Sequence, residues 1–223
     1  MPFTKNLIAL FENNANPEYA AQMKAYLRNK FELYGIKTKL RRELLKESVS
    51  NHKDEVNLNI RSISKELFTS NYRELQHCGV ELFEKLLRKK YKKDDIEQIE
   101  FFITTNSWWD TVDFIAKQIL GKYLKQYPGN IKEVIAEYSN SENLWLIRSA
   151  ILFQLGYKSK TNEELLYSLC IINSSSNEFF IKKAIGWSLR EYGKTNPSSV
   201  LNFVNSTELK PLSKKEAIRN IIK

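Results

Sequence analysis

Ser107-Trp108-Trp109-Asp110-Thr111-Val112-Asp113 opens the run of sequence whose spacing sets the fold class. Val112, Ile115, Ile119 and Tyr123 follow at intervals of three and four residues, the apolar face of a helix. Trp145 lies 36 residues beyond Trp109, at the head of another such run. A further 36 residues reach Ile181, inside Phe179-Phe180-Ile181-Lys182-Lys183. Each of the three positions comes early in an amphipathic segment that itself follows another amphipathic segment.

A period near ~36–40 residues built of helix pairs is that of an α-solenoid of the HEAT or armadillo kind. Stacked pairs place equivalent helices side by side and generate a concave face. The expected class is therefore all-α, a solenoid of HEAT-like helical repeats with a concave basic groove, as one domain over residues 1–223.

The rest of the chain reads the same way. Ala20, Met23, Leu27 and Phe31 form one stripe, Val56, Ile60, Ile63 and Leu67 another, and Leu75, Cys78, Leu82 and Leu86 a third. Ile99, Phe102 and Ile103 precede the tryptophan run; Leu165, Leu169 and Ile172 lie beyond it. Val56-Asn57-Leu58-Asn59-Ile60 alternates like a strand, but its stripe continues at helical spacing, so a helix is expected. Asn71…Glu74, Asp94…Glu97, Thr161…Glu164 and Ser213…Glu216 have the spacing of capping boxes, and Ser107 can cap the helix carrying Trp109. Tyr127-Pro128-Gly129-Asn130, Asn173-Ser174-Ser175-Ser176-Asn177 and Asn196-Pro197 break the pattern, which leaves ten or so short helices.

Composition narrows the function. The chain has 223 residues, 42% of them hydrophobic, enough for a sizeable core, and only seven Gly and five Pro, too few for a turn-rich all-β protein. Thirty-five Lys and Arg against 26 Asp and Glu give a net charge of +9, which favours an acidic partner such as nucleic acid or an anionic membrane surface. Cys78 and Cys170 stand alone in apolar helical surroundings and read as buried thiols of a reducing compartment. With His52 and His77 they form no ligand set, so neither a metal nor a cofactor is expected. The opening Met1-Pro2-Phe3-Thr4-Lys5 leads into no apolar signal region, and no apolar run approaches ~18 residues. A cytoplasmic protein that does not span a membrane is expected.

Trp109 and Asp113 are i,i+4 neighbours, so an indole and a carboxylate share one helical face. Both stabilise a nearby positive charge. Trp145 and Arg148 are i,i+3 neighbours, and Lys183, Trp187 and Arg190 form a stripe of cation, aromatic and cation. Apolar stripes already occupy other faces: Val112, Ile115 and Ile119; Leu144, Ile147 and Ile151; Ile181 and Ile185. The remaining face suits a groove that binds phosphate and sugar. The basic run from Lys85 to Lys93 reads as a solvated helix end, while Arg41 and Arg42 fit a phosphate contact and an ordinary surface equally well. There is no Gly-rich phosphate loop, nucleophile elbow, HExxH motif or catalytic triad setting.

These segments resemble the AlkD-type DNA alkylation repair glycosylases. The resemblance is carried by Ser107–Asp113, by Trp145-Leu146-Ile147-Arg148-Ser149-Ala150-Ile151-Leu152-Phe153-Gln154-Leu155, and by Phe179-Phe180-Ile181-Lys182-Lys183-Ala184-Ile185-Gly186-Trp187-Ser188-Leu189-Arg190-Glu191-Tyr192. Pro211-Leu212-Ser213-Lys214-Lys215-Glu216-Ala217-Ile218 and the N-terminal Tyr26…Phe31…Gly35-Ile36…Arg41-Arg42 extend it over nearly the whole chain.

The resemblance implies a monomeric solenoid that grips duplex DNA. It further implies a monofunctional glycosylase excising cationic N-alkylated purines, such as 3-methyladenine and 7-methylguanine, without a metal, in base excision repair. By similarity Asp113 is the catalytic carboxylate, Trp109 and Trp187 are aromatic walls beside the lesion sugar, and Arg148 holds the backbone near the site. Tyr26, Lys37, Trp108, Lys183 and Arg190 are the expected DNA contacts. Lys37 stands where the family pattern leads one to expect Gln, and Gly156 where it leads one to expect Lys. A non-catalytic HEAT-like protein that binds damaged or branched DNA is the alternative, and a protein-binding scaffold a third reading.

Overall fold

Helices make up the regular structure of the computed structural model, which describes residues 1–221; the described β-structure is one isolated parallel bridge between Glu32 and Tyr72. The chain divides into two compact units, Met1–Lys90 and Tyr91–Lys223. The all-α helical-repeat class read from the sequence is the one observed. The short helices exceed ten, with fourteen α-helical stretches among the described residues.

The first unit holds α1 (Phe3–Asn13), α2 (Pro17–Tyr26), α3 (Thr38–Asn51), α4 (Lys53–Phe68) and α5 (Arg73–Leu87). Helices α4 and α5 pack along each other, and α1 lies against α3 and α4. The stripe Val56, Ile60, Ile63 and Leu67 is buried, as its spacing predicts. The strand-like alternation inside it has a physical counterpart: Asn59 leaves helical geometry (φ −117°, ψ 22°) and kinks α4. A buried carboxylate ties the unit's loop together. Glu74 accepts from the backbone N–H groups of Tyr34, Gly35 and Ile36 at 3.2, 2.9 and 3.2 Å.

The second unit begins with α6 (Asp95–Thr104) and α7 (Trp109–Phe114). A π-helical turn (Ile115–Leu120) then continues directly into α8 (Gly121–Gln126). It goes on through α9 (Ile131–Ser139), α10 (Leu144–Leu152), α11 (Glu163–Ile172), α12 (Phe179–Tyr192), α13 (Pro197–Ser206) and α14 (Pro211–Ile218). The 36-residue period marks the second helix of successive pairs: Trp109 begins α7 after α6, Trp145 is near the start of α10 after α9, and Ile181 is near the start of α12 after α11. Helix α10 is the hub, packed against α6, α7, the π turn, α9, α11 and α12.

Ile115, Ala116, Ile119 and Leu120 of the π turn are fully buried. Ile151, Ile181, Ala184, Ile185, Leu189, Val200 and Val204 continue this core toward α14.

Helix starts differ from the sequence reading. The side chains that cap are asparagines: Asn16, Asn143, Asn162 and Asn196 accept from backbone N–H groups of their first turns. Ser107 does not cap α7; its hydroxyl donates to the Ile103 carbonyl at 2.6 Å, and Trp108 occupies the cap position with extended backbone. Ser213 lies inside α14 and donates to the Lys182 carbonyl at 3.0 Å, tying α14 to α12.

Candidate active site

The second helices of the three pairs place their early residues side by side. Trp109 and Asp113 from α7, Arg148 from α10, and Phe179, Phe180, Lys183, Trp187 and Arg190 from α12 line one pocket of about 250 Å³. Six of the nine site residues expected from the sequence meet there. Trp109 and Asp113 share a face because four residues complete one turn of α7.

Arg148 and Asp113 form the centre. The guanidinium donates from Nε to one carboxylate oxygen at 2.7 Å and from Nη2 to the other at 2.9 Å. Its Nη1 donates to the Phe180 carbonyl. The arginine side chain is 5% exposed and the aspartate 16%. A planar fork matched to a carboxylate in this way fixes both orientation and charge. Burial pushes the Asp113 carboxyl above its ordinary value, Arg148 opposes that rise, and Asp110 adds to it. The two charge-assisted bonds favour the anionic form against the cost of burial.

Each of its three guanidinium nitrogens serves a protein acceptor, which fixes Arg148 against Asp113 and the α12 backbone.

Trp108 is buried in an aromatic cluster. It is 7% exposed, with its ring edge-on to Trp145 and Phe180 at centroid distances of 5.8 and 5.2 Å. Trp145 and Phe180 close the cluster at 5.0 Å. Trp108 and Trp145 thus pack together against Phe180, which lines the pocket. Burying aromatic rings edge to face is worth ~0.5–1.5 kcal/mol per pair beyond area burial, so this cluster stiffens the wall that carries Phe180.

Lys183 and Arg190 reach the pocket wall and share one carboxylate behind it. Lys183 Nζ lies 2.8 Å from one Glu216 oxygen, and Arg190 Nη1 bonds the other. Glu216 comes from α14, close to α12 because Gly186 has no side chain there. A Cβ on Gly186 would lie 2.4 Å from the Glu216 Cβ and 3.0 Å from the Ser213 carbonyl oxygen.

Tyr26 and Lys37 belong to the first unit. Tyr26 ends α2 and is 69% exposed. Lys37 immediately precedes α3, with its ammonium 3.5 Å from the centre of the Tyr19 ring. Gly156 takes left-handed backbone (φ +84°), where a lysine would be strained. Sequence reasoning left Phe179, Phe180 and Glu216 without roles. The Phe179-Phe180 pair at a helix start was a signal for the first two, whereas Glu216 looked like half of a capping box.

The DNA alkylation repair enzyme family pattern matches residues 7–221. Among solved structures, the chain is similar to a predicted DNA alkylation repair enzyme from Enterococcus faecalis. That likeness has a TM-score of 0.86 and 30% identity over 94% of this chain and 97% of that one. It is also similar to smu.31 from Streptococcus mutans UA159, with a TM-score of 0.58 and 16% identity over 82% of this chain and 98% of the other, a likeness of fold alone. Comparison with curated proteins gives no match. The family supplies a role in DNA repair and DNA as partner, and no described helix is long and apolar enough to cross a membrane. With its match spanning almost the whole chain, this protein belongs to the DNA alkylation repair enzyme family.

Proposed function

We propose that the protein is a monofunctional DNA glycosylase that hydrolyses the N-glycosidic bond of cationic N-alkylated purines in duplex DNA. The observation that carries this reading is the Asp113 carboxylate, held by both of its oxygens on Arg148 in an open pocket walled by Trp109 and Trp187.

An alkylated purine such as 3-methyladenine or 7-methylguanine already bears positive charge. It departs with the electron pair of the glycosidic bond and needs no proton from a general acid. The remaining barrier is positive charge developing on the deoxyribose. A fixed carboxylate at that centre contributes ~3–4 kcal/mol, by analogy with other preorganised electrostatic groups. Each indole face adds ~0.5–2 kcal/mol by cation–π attraction. Water then adds to the sugar carbon, with Asp113 oriented to direct it and to accept its proton.

Arg148 keeps the carboxylate ionised and aimed. Lys183 and Arg190 face the pocket as phosphate contacts, and Tyr26 and Lys37 serve DNA from the first unit. The pocket is open, which suits engagement of the lesion through its sugar.

The test is single-turnover release of 7-methylguanine from methylated duplex DNA. Asp113→Asn is expected to slow release at least tenfold while DNA binding survives. Unchanged release removes Asp113 from the chemistry. Tight binding by the unaltered protein without any release favours the non-catalytic DNA-binding alternative.

A further inference from the structure

The helical segment that carries Trp109 and Asp113 also begins a second cationic surface. Lys117 stands one turn beyond Asp113, and Lys122 and Lys125 lie on α8, which continues the same segment. The loop after α10 is fastened alongside. The Tyr157 hydroxyl donates to the Gly121 carbonyl, and Lys125 Nζ sits 3.8 Å from the centre of the Tyr157 ring. That loop turns through left-handed backbone at Gly156 (φ +84°) and at Lys158 (φ +55°), a conformation lysine rarely takes, and presents Lys158 and Lys160. The Lys117 stem runs beside this loop: a Cβ at Gly156 would make ordinary contact with Lys117 Cε, at 3.6 Å.

Among the described residues, four of these five lysines have no carboxylate partner: none pairs with Lys117, Lys125, Lys158 or Lys160, whereas Lys183 and Arg190 share Glu216. Lys125 is pushed below its ordinary lysine value, by burial first and then by Lys160 and Lys122. Gathering like charges costs Coulomb energy in the free protein, and a polyanion recovers it.

We infer that Lys117, Lys122, Lys125, Lys158 and Lys160 form a second phosphate-binding track, which takes the sugar–phosphate backbone of duplex DNA away from the lesion. Twelve residues separate Asp113 from Lys125, ~18 Å at the helical rise, which is about five base-pair steps of ~3.4 Å. Duplex DNA is the polyanion that fits, because the track and the candidate carboxylate share one continuous helix in a member of a DNA repair family. The track requires only that DNA is the partner and stands apart from the glycosylase chemistry.

The test measures the affinity of the full chain for an unmodified duplex across a salt series. In Lys125→Gln/Lys158→Gln/Lys160→Gln, the slope of log affinity against log salt is expected to become shallower by about 2–3, with affinity falling on the order of tenfold near physiological salt. The corresponding Lys→Arg triple variant keeps the original slope. Single Lys160→Gln, which leaves the Tyr157 contact intact, is expected to lower the slope by about 1. An unchanged slope in these Gln variants overturns the track. So does loss of binding to anionic vesicles while the duplex slope holds. If the slope falls as expected in a protein that releases no base, the track stands and the glycosylase reading fails.

Discussion

Arg148 and Asp113 form a two-pronged ion pair, at 2.7 and 2.9 Å, between the second helices of neighbouring pairs. Removing one partner leaves the other charged and enclosed, which typically costs ~3–5 kcal/mol. Arg148→Ala is therefore expected to lower unfolding stability by about that amount in urea titration. Because the guanidinium serves protein acceptors, the salt slope of DNA binding should be unchanged in whatever fraction folds. A shallower slope would place Arg148 among the phosphate contacts.

The same pair sets a pH dependence for the proposed reaction. Asp113 acts as an anion, and burial lifts its pKa above the ordinary aspartate value of 3.8. Base release should fall as pH drops through that raised value, so the acid limb lies above the ordinary aspartate position. Arg148→Lys gives up the fork and one of its bonds, and should move the limb further upward. A single-turnover pH profile checks both. An acid limb at or below 3.8 would show that Asp113 is not the group being titrated.

The helical class was legible because apolar spacing is local. Val56, Ile60, Ile63 and Leu67, or Val112, Ile115 and Ile119, announce their buried faces without reference to the rest of the chain. The 36-residue period carried further, since it identified equivalent helices, and six of the expected site residues share one pocket as a result. What stayed hidden depends on side chains meeting across helices. Spacing sets Trp109 on the face of Asp113 and Trp108 on another, but it does not show that Trp108 packs onto Trp145 and Phe180. The pairing of Arg148 with Asp113 was hidden for the same reason: the partners are 35 residues apart. The expected capping boxes missed for separate reasons: Ser213 lies inside α14, Asp94 holds the α6 cap position without a side-chain bond, and Asn162 rather than Thr161 caps α11.

Glu216 links stability to pH in a direction fixed by its partners. The hydrogen bond from Lys183, then that from Arg190, hold its carboxyl below the ordinary glutamate value of 4.5 despite partial burial. A depressed folded-state pKa stabilises the fold above the unfolded value, and that contribution is lost as pH falls through the folded one. The melting temperature of the unaltered protein should exceed that of Glu216→Gln at neutral pH, and the gap should close once pH drops below the glutamate range. A gap that persists in strong acid would mean that charge is not what Glu216 contributes.

Cys78 and Cys170 are fully buried, and burial pushes each thiol up to about 12. The thiolate is the reactive form, so neither should react with an aromatic disulfide reagent in the folded protein at pH 8. Both should react on addition of denaturant. Rapid labelling of either under native conditions would show that its surroundings open far more readily than its packing implies.

Gly186 offers the sharpest test of how the pocket's cations are placed. An added Cβ would meet Glu216 Cβ at 2.4 Å and the Ser213 carbonyl oxygen at 3.0 Å, and neither atom is the far end of a flexible side chain. Helix α14 must then move away from α12, and with it the carboxylate that Lys183 and Arg190 share. Overpacking of this kind costs ~1–3 kcal/mol, so Gly186→Ala should lower the unfolding midpoint accordingly. It should also erase the pH-dependent advantage that Glu216 confers, since the ion pairs cannot survive the displacement. Adding Glu216→Gln to Gly186→Ala should therefore cost little more than Gly186→Ala alone. If the two losses simply add, Gly186 and Glu216 act independently, and the close approach of α14 to α12 is not what holds the cations at the pocket wall.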